Sequence, residues 1–330
     1  IQAMSQLGID IGGTKIVLAL GDEQGEPIRS TRAPMPLSGD WEADLRAVAA
    51  LAETLLREAT QDDISLRGAL ERIGVSVPGP IDADRGVLIN PPNLTNWQDV
   101  PIGPWLAEKF GVETRIENDA NAAALAEARF GAGRGVDDLV YLTMSTGVGA
   151  GVIAGGRLIA GSFGSAGEAG HMPIELGGRL CACGLSGCFE AYVGGNAWRE
   201  RLRAELPIEC RAVELAKGDR SAVTPEHLVS AAKQGDAVAL AEFDRWLDDV
   251  VRGIVPIVML LEPSRIILGT IAVAAGESLC FEPLRKKLAR VLWPQQSARV
   301  EVVPAALGRA LPERAGLAVA MNARSARAAD

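Results

Sequence analysis

The chain has 330 residues, of which 48% are hydrophobic and 23% are charged, with a formal net charge of −9. This composition is typical of a globular protein with a full hydrophobic core and excludes disorder as the main state. The acidic charge opposes the counterion release that drives nucleic-acid binding, so we expect no nucleic-acid partner. The longest apolar run, residues 254–261, contains Pro256 and is far shorter than the ~20 residues of a membrane helix. Without a membrane span or a leader pattern, the sequence predicts a cytoplasmic protein.

The first part of the chain predicts alternating strands and helices. Two apolar strands over residues 7–20 flank a Gly12-Gly13-Thr14-Lys15 turn in the pattern of a hairpin. Apolar residues at helical spacing predict a helix over 40–59 with Asp40 as its cap. A strand over 72–77, a helix over 101–109, a strand over 112–116 and an alanine-rich helix over 120–130 follow.

The unit of strand, glycine turn and strand then occurs a second time. Apolar residues 139–144 and 150–154 flank the sequence Ser145-Thr146-Gly147-Val148-Gly149. Beyond residue 190 the pattern is mostly helical, apart from a strand over 265–268 that ends at Gly269. Two such hairpins, each followed by strand and helix material, predict an α/β protein with duplicated domains that face each other across a cleft.

The first glycine turn carries the chemical groups of a phosphate and Mg²⁺ site. Asp10 supplies a carboxylate at a strand end, and residues 12–15 supply glycines that let backbone N–H groups approach a ligand, a hydroxyl and a cation. A plain hairpin turn is the alternative, since Gly-Gly is common in tight turns. The similar loop at 145–151 favours phosphate binding. Neither the P-loop pattern nor the G-x-G-x-x-G pattern occurs, so the sequence does not indicate a P-loop or a Rossmann dinucleotide site.

The Glu117-Asn118-Asp119 sequence lies at a predicted junction of strand and helix. The partial positive charge of a helix N-terminus keeps a carboxylate ionised, which suits a base that accepts a proton from a hydroxyl. Asn and Asp are also preferred helix caps, so a purely structural role is the alternative. The residues by themselves leave both interpretations open.

Three of the five cysteines, Cys181, Cys183 and Cys188, lie close together, and one of the two histidines, His171, precedes them. Three thiolates and an imidazole form the Cys₃His set of a structural zinc site, and three free cysteines with a core histidine are the alternative. Imidazole has two nitrogens, so His171 can bind zinc with one and face a ligand with the other. With Glu168 and Glu190 on either side, this group suits the hydroxyls of a sugar.

Together these motifs resemble the ROK family, the bacterial sugar kinases and related repressors of the hexokinase and actin superfamily. The resemblance rests on residues 10–15, 78–80, 117–124, 145–151 and 168–171 and on the C-x-C-G-x-x-G-C-x-E run that ends at Glu190. It implies an actin/hexokinase-like (ribonuclease H-like) fold. A small domain over 1–118, completed by a C-terminal helix at about 312–330, would accompany a large domain over 119–311 that carries the zinc loop. Homodimers are usual in this family.

The resemblance also implies an activity and a set of site residues. The activity is ATP-dependent phosphorylation of a hexose at its 6-hydroxyl, with glucose as the first candidate and Asp119 as the base. The implied sugar-binding residues are Gly79, Asn93, Asn118, Asp119, Glu168, His171 and Glu190. The implied phosphate-binding residues are Gly12, Gly13, Thr14, Lys15, Thr146, Gly147 and Gly269, with Asp10 near Mg²⁺. Zinc would be bound by His171, Cys181, Cys183 and Cys188.

One stretch departs from the pattern of the related kinases. Leu268-Gly269-Thr270-Ile271-Ala272 stands where the related kinases have a run of glycines near the expected adenosine, and the branched side chain of Ile271 removes backbone freedom and adds bulk there. The departure leaves open whether ATP or another phosphoryl compound is the donor.

Several alternatives to a glucokinase remain at this point. N-acetylmannosamine, N-acetylglucosamine and fructose are alternative substrates, and a catalytically silent sugar-binding protein is an alternative of another class. A sugar-responsive repressor of the same family would carry a DNA-binding domain before the glycine loop. Because that loop starts at Asp10 and no basic helix precedes it, we expect a kinase.

Overall fold

The computed structural model describes residues 5–66, 70–91, 94, 96–162 and 164–322, which form two compact units. The first unit comprises Ile1–Arg134, Ala160–Ala166 and Leu307–Asp330, and the second comprises Gly135–Ile159 and Gly167–Ala306. The helix over 119–130 belongs to the first unit. A compact unit is not by itself an independently folding domain, so the domain boundary expected at residue 118 stays a prediction.

The described residues contain twelve strands and twelve α-helices. The strands are β1 (Ser5–Ile11), β2 (Lys15–Gly21), β3 (Pro27–Pro34), β4 (Leu70–Val77), β5 (Ile81–Asp82), β6 (Val87–Leu88), β7 (Glu113–Asn118), β8 (Leu139–Met144), β9 (Val148–Ala154), β10 (Arg157–Leu158), β11 (Arg265–Leu268) and β12 (Glu301–Pro304). The helices are α1 (Trp41–Asp62), α2 (Ile102–Phe110), α3 (Asp119–Phe130), α4 (Glu190–Val193), α5 (Gly195–Glu205), α6 (Arg211–Leu215), α7 (Pro225–Lys233), α8 (Ala237–Leu261), α9 (Ile271–Ala275), α10 (Glu282–Leu288), α11 (Pro294–Ser297) and α12 (Leu311–Met321).

Each unit is built on a five-stranded mixed sheet. The first has the order β3-β2-β1-β4-β7 and the second has the order β10-β9-β8-β11-β12. In both sheets the first three strands in the chain pair antiparallel and the last two add in parallel. The same strand order therefore occurs twice, which confirms the predicted α/β class and the duplication of the hairpin unit.

Helix α1 shows how local sequence determines an element. Asp40 is its N-cap and accepts a hydrogen bond from the backbone N–H of Glu42 at 3.0 Å, as predicted. Leu45, Val48 and Leu55 lie on one face and are buried in the core of the first unit. The helix continues to Asp62, three residues beyond the predicted end at Ala59.

Helix α12 packs directly on the sheet of the first unit through glycines. A Cβ at Gly74 on β4 would lie 2.1 Å from the carbonyl oxygen of Gly316, and one at Gly316 would lie 2.3 Å from the backbone nitrogen of Ile9. Only glycine allows this close approach of helix and sheet. The C-terminal helix expected at about 312–330 is therefore present in the first unit, although its expected last residues, 323–330, lie outside the described residues.

The core of the second unit surrounds α8. Trp198, Phe243 and Trp246 pack against one another there with ring centroids 5.2 to 5.9 Å apart, and all three are buried. The apolar run over 254–261 is the C-terminal third of α8, with Pro256 inside the helix. Within the described residues, none of the helices combines the length and the apolar character that crossing a membrane requires.

Candidate functional site

In the first unit, the carboxyl ends of β1, β4 and β7 form one edge of the sheet. Asp10 lies near the end of β1 beside Ser76 on β4, and the Ser76 hydroxyl donates a hydrogen bond to Asp10 Oδ1 at 2.7 Å. Asn118 is the last residue of β7, and Asp119 is the first residue of α3. Ligands of open α/β sheets bind at the carboxyl ends of parallel strands, so this edge is the candidate site of the first unit.

The two carboxylates on this edge have different environments. Burial raises the pKa of Asp10 to about 6. The hydrogen bond from Ser76 and the charge of Lys15 lower the pKa of Asp10, whereas the nearby charge of Asp119 adds to the rise. Asp119 itself is exposed in the first turn of α3. A divalent cation at Asp10 would favour ionisation of this carboxylate.

Replacing Asp10 with Asn is expected to stabilise the protein at neutral pH. A raised pKa in the folded protein contributes stability below about pH 4, and that stability is lost as the pH rises through about 6. The mutant avoids this loss, so its free energy of unfolding at pH 7.5 should exceed that of the wild type by up to about 3 kcal/mol. Urea denaturation in magnesium-free buffer at pH 7.5 and at pH 4.5 measures this difference, which should shrink at the lower pH. A destabilised mutant at pH 7.5 would contradict this assignment.

Asn118 serves as a helix cap, which was one of the two interpretations of this sequence. Its Oδ1 accepts a hydrogen bond from the backbone N–H of Ala120 at 2.9 Å. Its Nδ2 lies 3.4 Å from the carbonyl oxygen of Gly79, which has φ +104°. The cap therefore orients both the start of α3 and the turn after β4, the two places from which Asp119 and Gly79 are predicted to contact the sugar.

The first glycine turn closes the β1-β2 hairpin. The backbone N–H of Gly12 donates to the carbonyl of Lys15 at 2.9 Å, so it is already used within the turn. Neither Gly12 nor Gly13 has a positive φ, which excludes the type I′ geometry typical of a plain Gly-Gly hairpin. The side chains of Thr14 and Lys15 are exposed at the turn and remain candidates for phosphate contact. Asn93, the other predicted sugar ligand of this part of the chain, lies outside the described residues.

In the second unit, the four predicted zinc ligands come together. One ligand atom from each of His171, Cys181, Cys183 and Cys188 lies within 4.8 Å of the others. Cys181 Sγ is 3.7 Å from His171 Nδ1, and Cys183 Sγ is 3.7 Å from Cys188 Sγ. Sulfurs in a tetrahedral zinc site with Zn–S of about 2.3 Å are roughly 3.8 Å apart, so the cluster fits a structural zinc.

The thiols of this cluster also need a cation to act as ligands. Burial raises the pKa of Cys188 to about 12. A coordinated Zn²⁺ would deprotonate its thiol ligands despite this rise in pKa, so the four side chains can act as zinc ligands. His171 faces the sulfurs with Nδ1, which leaves Nε2 for another partner.

Glu190 lies between the cysteine cluster and the second glycine loop, which we define as residues 145–149. Its Oε2 accepts a hydrogen bond from the backbone N–H of Val148 at 2.8 Å. Its Oε1 lies 3.9 Å from Cys181 Sγ. Glu168 is exposed just before the turn that carries His171. The second unit therefore places two of its predicted sugar ligands, His171 and Glu190, at the cluster and leaves Glu168 open to solvent.

A cavity of about 590 Å³ lies beside the second glycine loop. Its walls come from the loop, from the first turns of α5, α7 and α9, and from Lys233 at the end of α7; they include Thr146, Asn196, Arg199, Glu226, Lys233 and Thr270. Gly269 is buried next to it and donates its N–H to the carbonyl of Leu142 at 2.8 Å. Its volume suits a ligand of nucleotide size, and the helix N-termini with Arg199 and Lys233 favour an anionic one, against the single carboxylate of Glu226 among the lining residues.

Comparisons with known proteins agree with this geometry. The sequence pattern of the ROK family matches residues 6–320. The chain belongs to the ROK family. It is 34% identical to a glucokinase from Thermotoga maritima over 91% of this chain and 92% of the relative. It is also 34% identical to a xylose repressor from Caldicellulosiruptor bescii, over 86% of this chain and 69% of that protein. A ROK family glucokinase from Streptomyces griseus, solved with glucose and AMPPNP, has a TM-score of 0.75 at 31% identity and covers 97% of this chain and 100% of its own.

The structure gives a physical account of the Thr270 departure in this ROK protein. Thr270 has φ +48°, a conformation that favours glycine. Its hydroxyl donates to the carbonyl of Met144 and lies 3.4 Å from the Thr143 hydroxyl. These hydrogen bonds offset the backbone strain, so Thr270 adopts, in the turn before α9, a backbone conformation that is usually occupied by glycine.

Two substitutions separate the strain from the hydrogen bond at this position. Thr270→Ala keeps the strained φ and loses the hydroxyl, so it should lower the free energy of unfolding by about 1–2 kcal/mol. Thr270→Gly loses the hydroxyl but relieves the strain, so it should be more stable than the alanine variant. Urea denaturation of the three proteins measures both differences. Equal stability of the alanine and glycine variants would show that the positive φ carries no cost.

Sequence reasoning missed several residues at the two sites. Ser76 carried a weak signal, as the single polar residue among the apolar residues that end β4. Asn196, Arg199, Glu226 and Lys233 form walls of the cavity but lie on helices whose sequences show no motif. Only the packing of α5, α7 and α9 brings these side chains together.

Proposed function

We propose that this ROK protein transfers the γ-phosphoryl group of ATP to the 6-hydroxyl of a hexose, with glucose as the first candidate. The observation that carries the proposal is the pair of carboxylates with different environments, Asp10 and Asp119. Asp10 is half-buried beside Ser76, whereas Asp119 is exposed at the start of α3, and carboxylates in different environments can take different roles in one site. The exposed Asp119 would accept the proton of the hydroxyl as its oxygen attacks the γ-phosphorus. The bond to the bridging oxygen breaks and ADP leaves.

The sugar would be held by groups that pair with its hydroxyls. Glu168, the Nε2 of His171 and Glu190 are the candidates in the second unit, with Asn118 and Gly79 in the first. Zinc on Nδ1 would fix the His171 ring and its tautomer. N-acetylmannosamine, N-acetylglucosamine and fructose remain alternative substrates, since the same residues suit their hydroxyls.

The nucleotide would occupy the 590 Å³ cavity of the second unit. The Streptomyces griseus glucokinase with AMPPNP supports ATP as the donor. Thr146 and Gly147 would contact phosphates there, and Thr14 and Lys15 would do so in the first unit. Mg²⁺, which neutralises phosphate charge, would be bound by Asp10. The homodimer and the cytoplasmic location stay predictions.

Coupled release of ADP over a panel of sugars tests the proposal. The panel comprises glucose, mannose, fructose, allose, N-acetylmannosamine and N-acetylglucosamine, each with Mg²⁺ and ATP. We expect glucose to give the highest kcat/KM, and another sugar in first place would correct the substrate while keeping the activity.

A sugar-responsive regulator is the second candidate, and the similarity to a xylose repressor favours it. Calorimetry with the same sugars separates the two functions. Sugar binding without any ADP release would overturn transfer from ATP and would support either a protein that only binds sugar, such as the regulator, or a kinase with another phosphoryl donor.

A further inference from the structure

The second glycine loop is held from both sides by one short segment, residues 190–196. The backbone N–H of Gly195 donates to the carbonyl of Ser145 at 2.7 Å, and that of Asn196 donates to the carbonyl of Thr146 at 2.9 Å. On the other side, the Glu190 side chain accepts the N–H of Val148 at 2.8 Å. The segment starts two residues after Cys188 of the cysteine cluster.

Glu190 is the only side chain in these three contacts. Its Oε2 leaves no space for a Cβ at Gly147, because such an atom would lie 2.3 Å away. Val148 is buried, so removal of the carboxylate would leave its N–H without the acceptor that it has in the structure. A hydrogen bond to a carboxylate is stronger than one to a neutral acceptor, so this contact contributes to holding the loop.

We propose that Glu190 is a positioning residue for the second glycine loop and thereby for the nucleotide, in addition to its predicted contact with the sugar. Thr146, two residues before Val148, lines the nucleotide cavity. The same carboxylate that would bind a sugar hydroxyl therefore controls a wall of the nucleotide site. The inference rests on the proposed function, because it takes the cavity to be the donor site.

Nucleotide affinity without sugar tests this role. A residue that only binds sugar leaves that affinity unchanged, whereas a residue that positions the loop changes it. Isothermal titration of ADP and AMPPNP into the metal-loaded protein, with no sugar present, gives the dissociation constants. The variants are Glu190→Ala, which removes the acceptor, and Glu190→Gln, whose amide oxygen can still accept the Val148 N–H.

Glu168→Ala is the matched control. Glu168 is a predicted sugar ligand in the same unit, but its side chain is exposed. We expect Glu190→Ala to weaken nucleotide binding about tenfold or more and Glu190→Gln to retain most of the affinity. Glu168→Ala should bind nucleotide as the wild type does, although all three variants should bind glucose more weakly.

Amide hydrogen exchange at Val148 measures the hydrogen bond between Val148 and Glu190 directly, without any nucleotide. Exchange should accelerate in Glu190→Ala and stay slow in Glu190→Gln and Glu168→Ala. Wild-type nucleotide affinity together with slow exchange in Glu190→Ala would overturn the inference. If the wild type binds no nucleotide, the proposed function fails, and the exchange measurement alone then decides the role of Glu190.

Discussion

Replacing Asp119 with Asn should lower kcat by about 10²- to 10⁴-fold, the usual contribution of a general base. The amide keeps the size and a hydrogen-bonding oxygen but cannot accept the proton of the hydroxyl. Glucose affinity, measured by calorimetry, should therefore stay close to that of the wild type. Low kcat with unchanged glucose affinity indicates loss of the base, whereas loss of both indicates damage to the sugar site.

Asp40→Asn provides a matched control for this substitution. Asp40 caps α1, so both changes replace Asp with Asn at the start of a helix in the same unit. Asn is as good a cap as Asp, and α1 carries none of the proposed site residues, so turnover should be unchanged. Wild-type turnover in the Asp119 variant would show that another group accepts the proton.

Much of the fold could be predicted because its signals are local. The cap and apolar face of α1 and the two hairpins follow from spacing alone, and the structure confirms them. The strand β3 was not predicted, because it begins and ends with proline and its residues alternate between exposed and half-buried. An edge strand of this kind lacks the apolar run that identifies a central strand.

The candidate sites were predictable to the extent that their residues are clustered in sequence. Cys181, Cys183, Cys188 and His171 lie within 18 residues, and the structure brings them together. Ser76 lies 66 positions from Asp10, and only the register between β1 and β4 places them side by side. The contact of Glu190 with Val148 likewise depends on packing across 42 positions.

Loss of zinc is expected to affect stability and both ligands together. Cys183 is the best position for the test, because its side chain is exposed and serine there costs little packing. Cys183→Ser should reduce the zinc content measured by mass spectrometry and lower Tm by about 10 °C or more, since structural zinc contributes folding energy directly. Cys210→Ser is the control for zinc content, because Cys210 is not one of the four clustered residues and a serine hydroxyl can still donate to Asp236. Since Cys210 is buried, this variant can lose some stability but should keep the zinc content of the wild type.

The ligand affinities of the Cys183→Ser protein show how far the effect of the metal extends. Only Phe189 separates Cys188 from Glu190, and Glu190 contacts both the cluster and Val148. Disorder after loss of zinc should therefore displace Glu190. Glucose binding should weaken because the carboxylate no longer faces the sugar, and ADP binding should weaken because the second glycine loop is no longer held by Glu190. Calorimetry of both ligands, below the lowered Tm, measures the two losses. A protein that loses glucose affinity but keeps full ADP affinity would show that the loop holds its shape through the contacts of Gly195 and Asn196 alone.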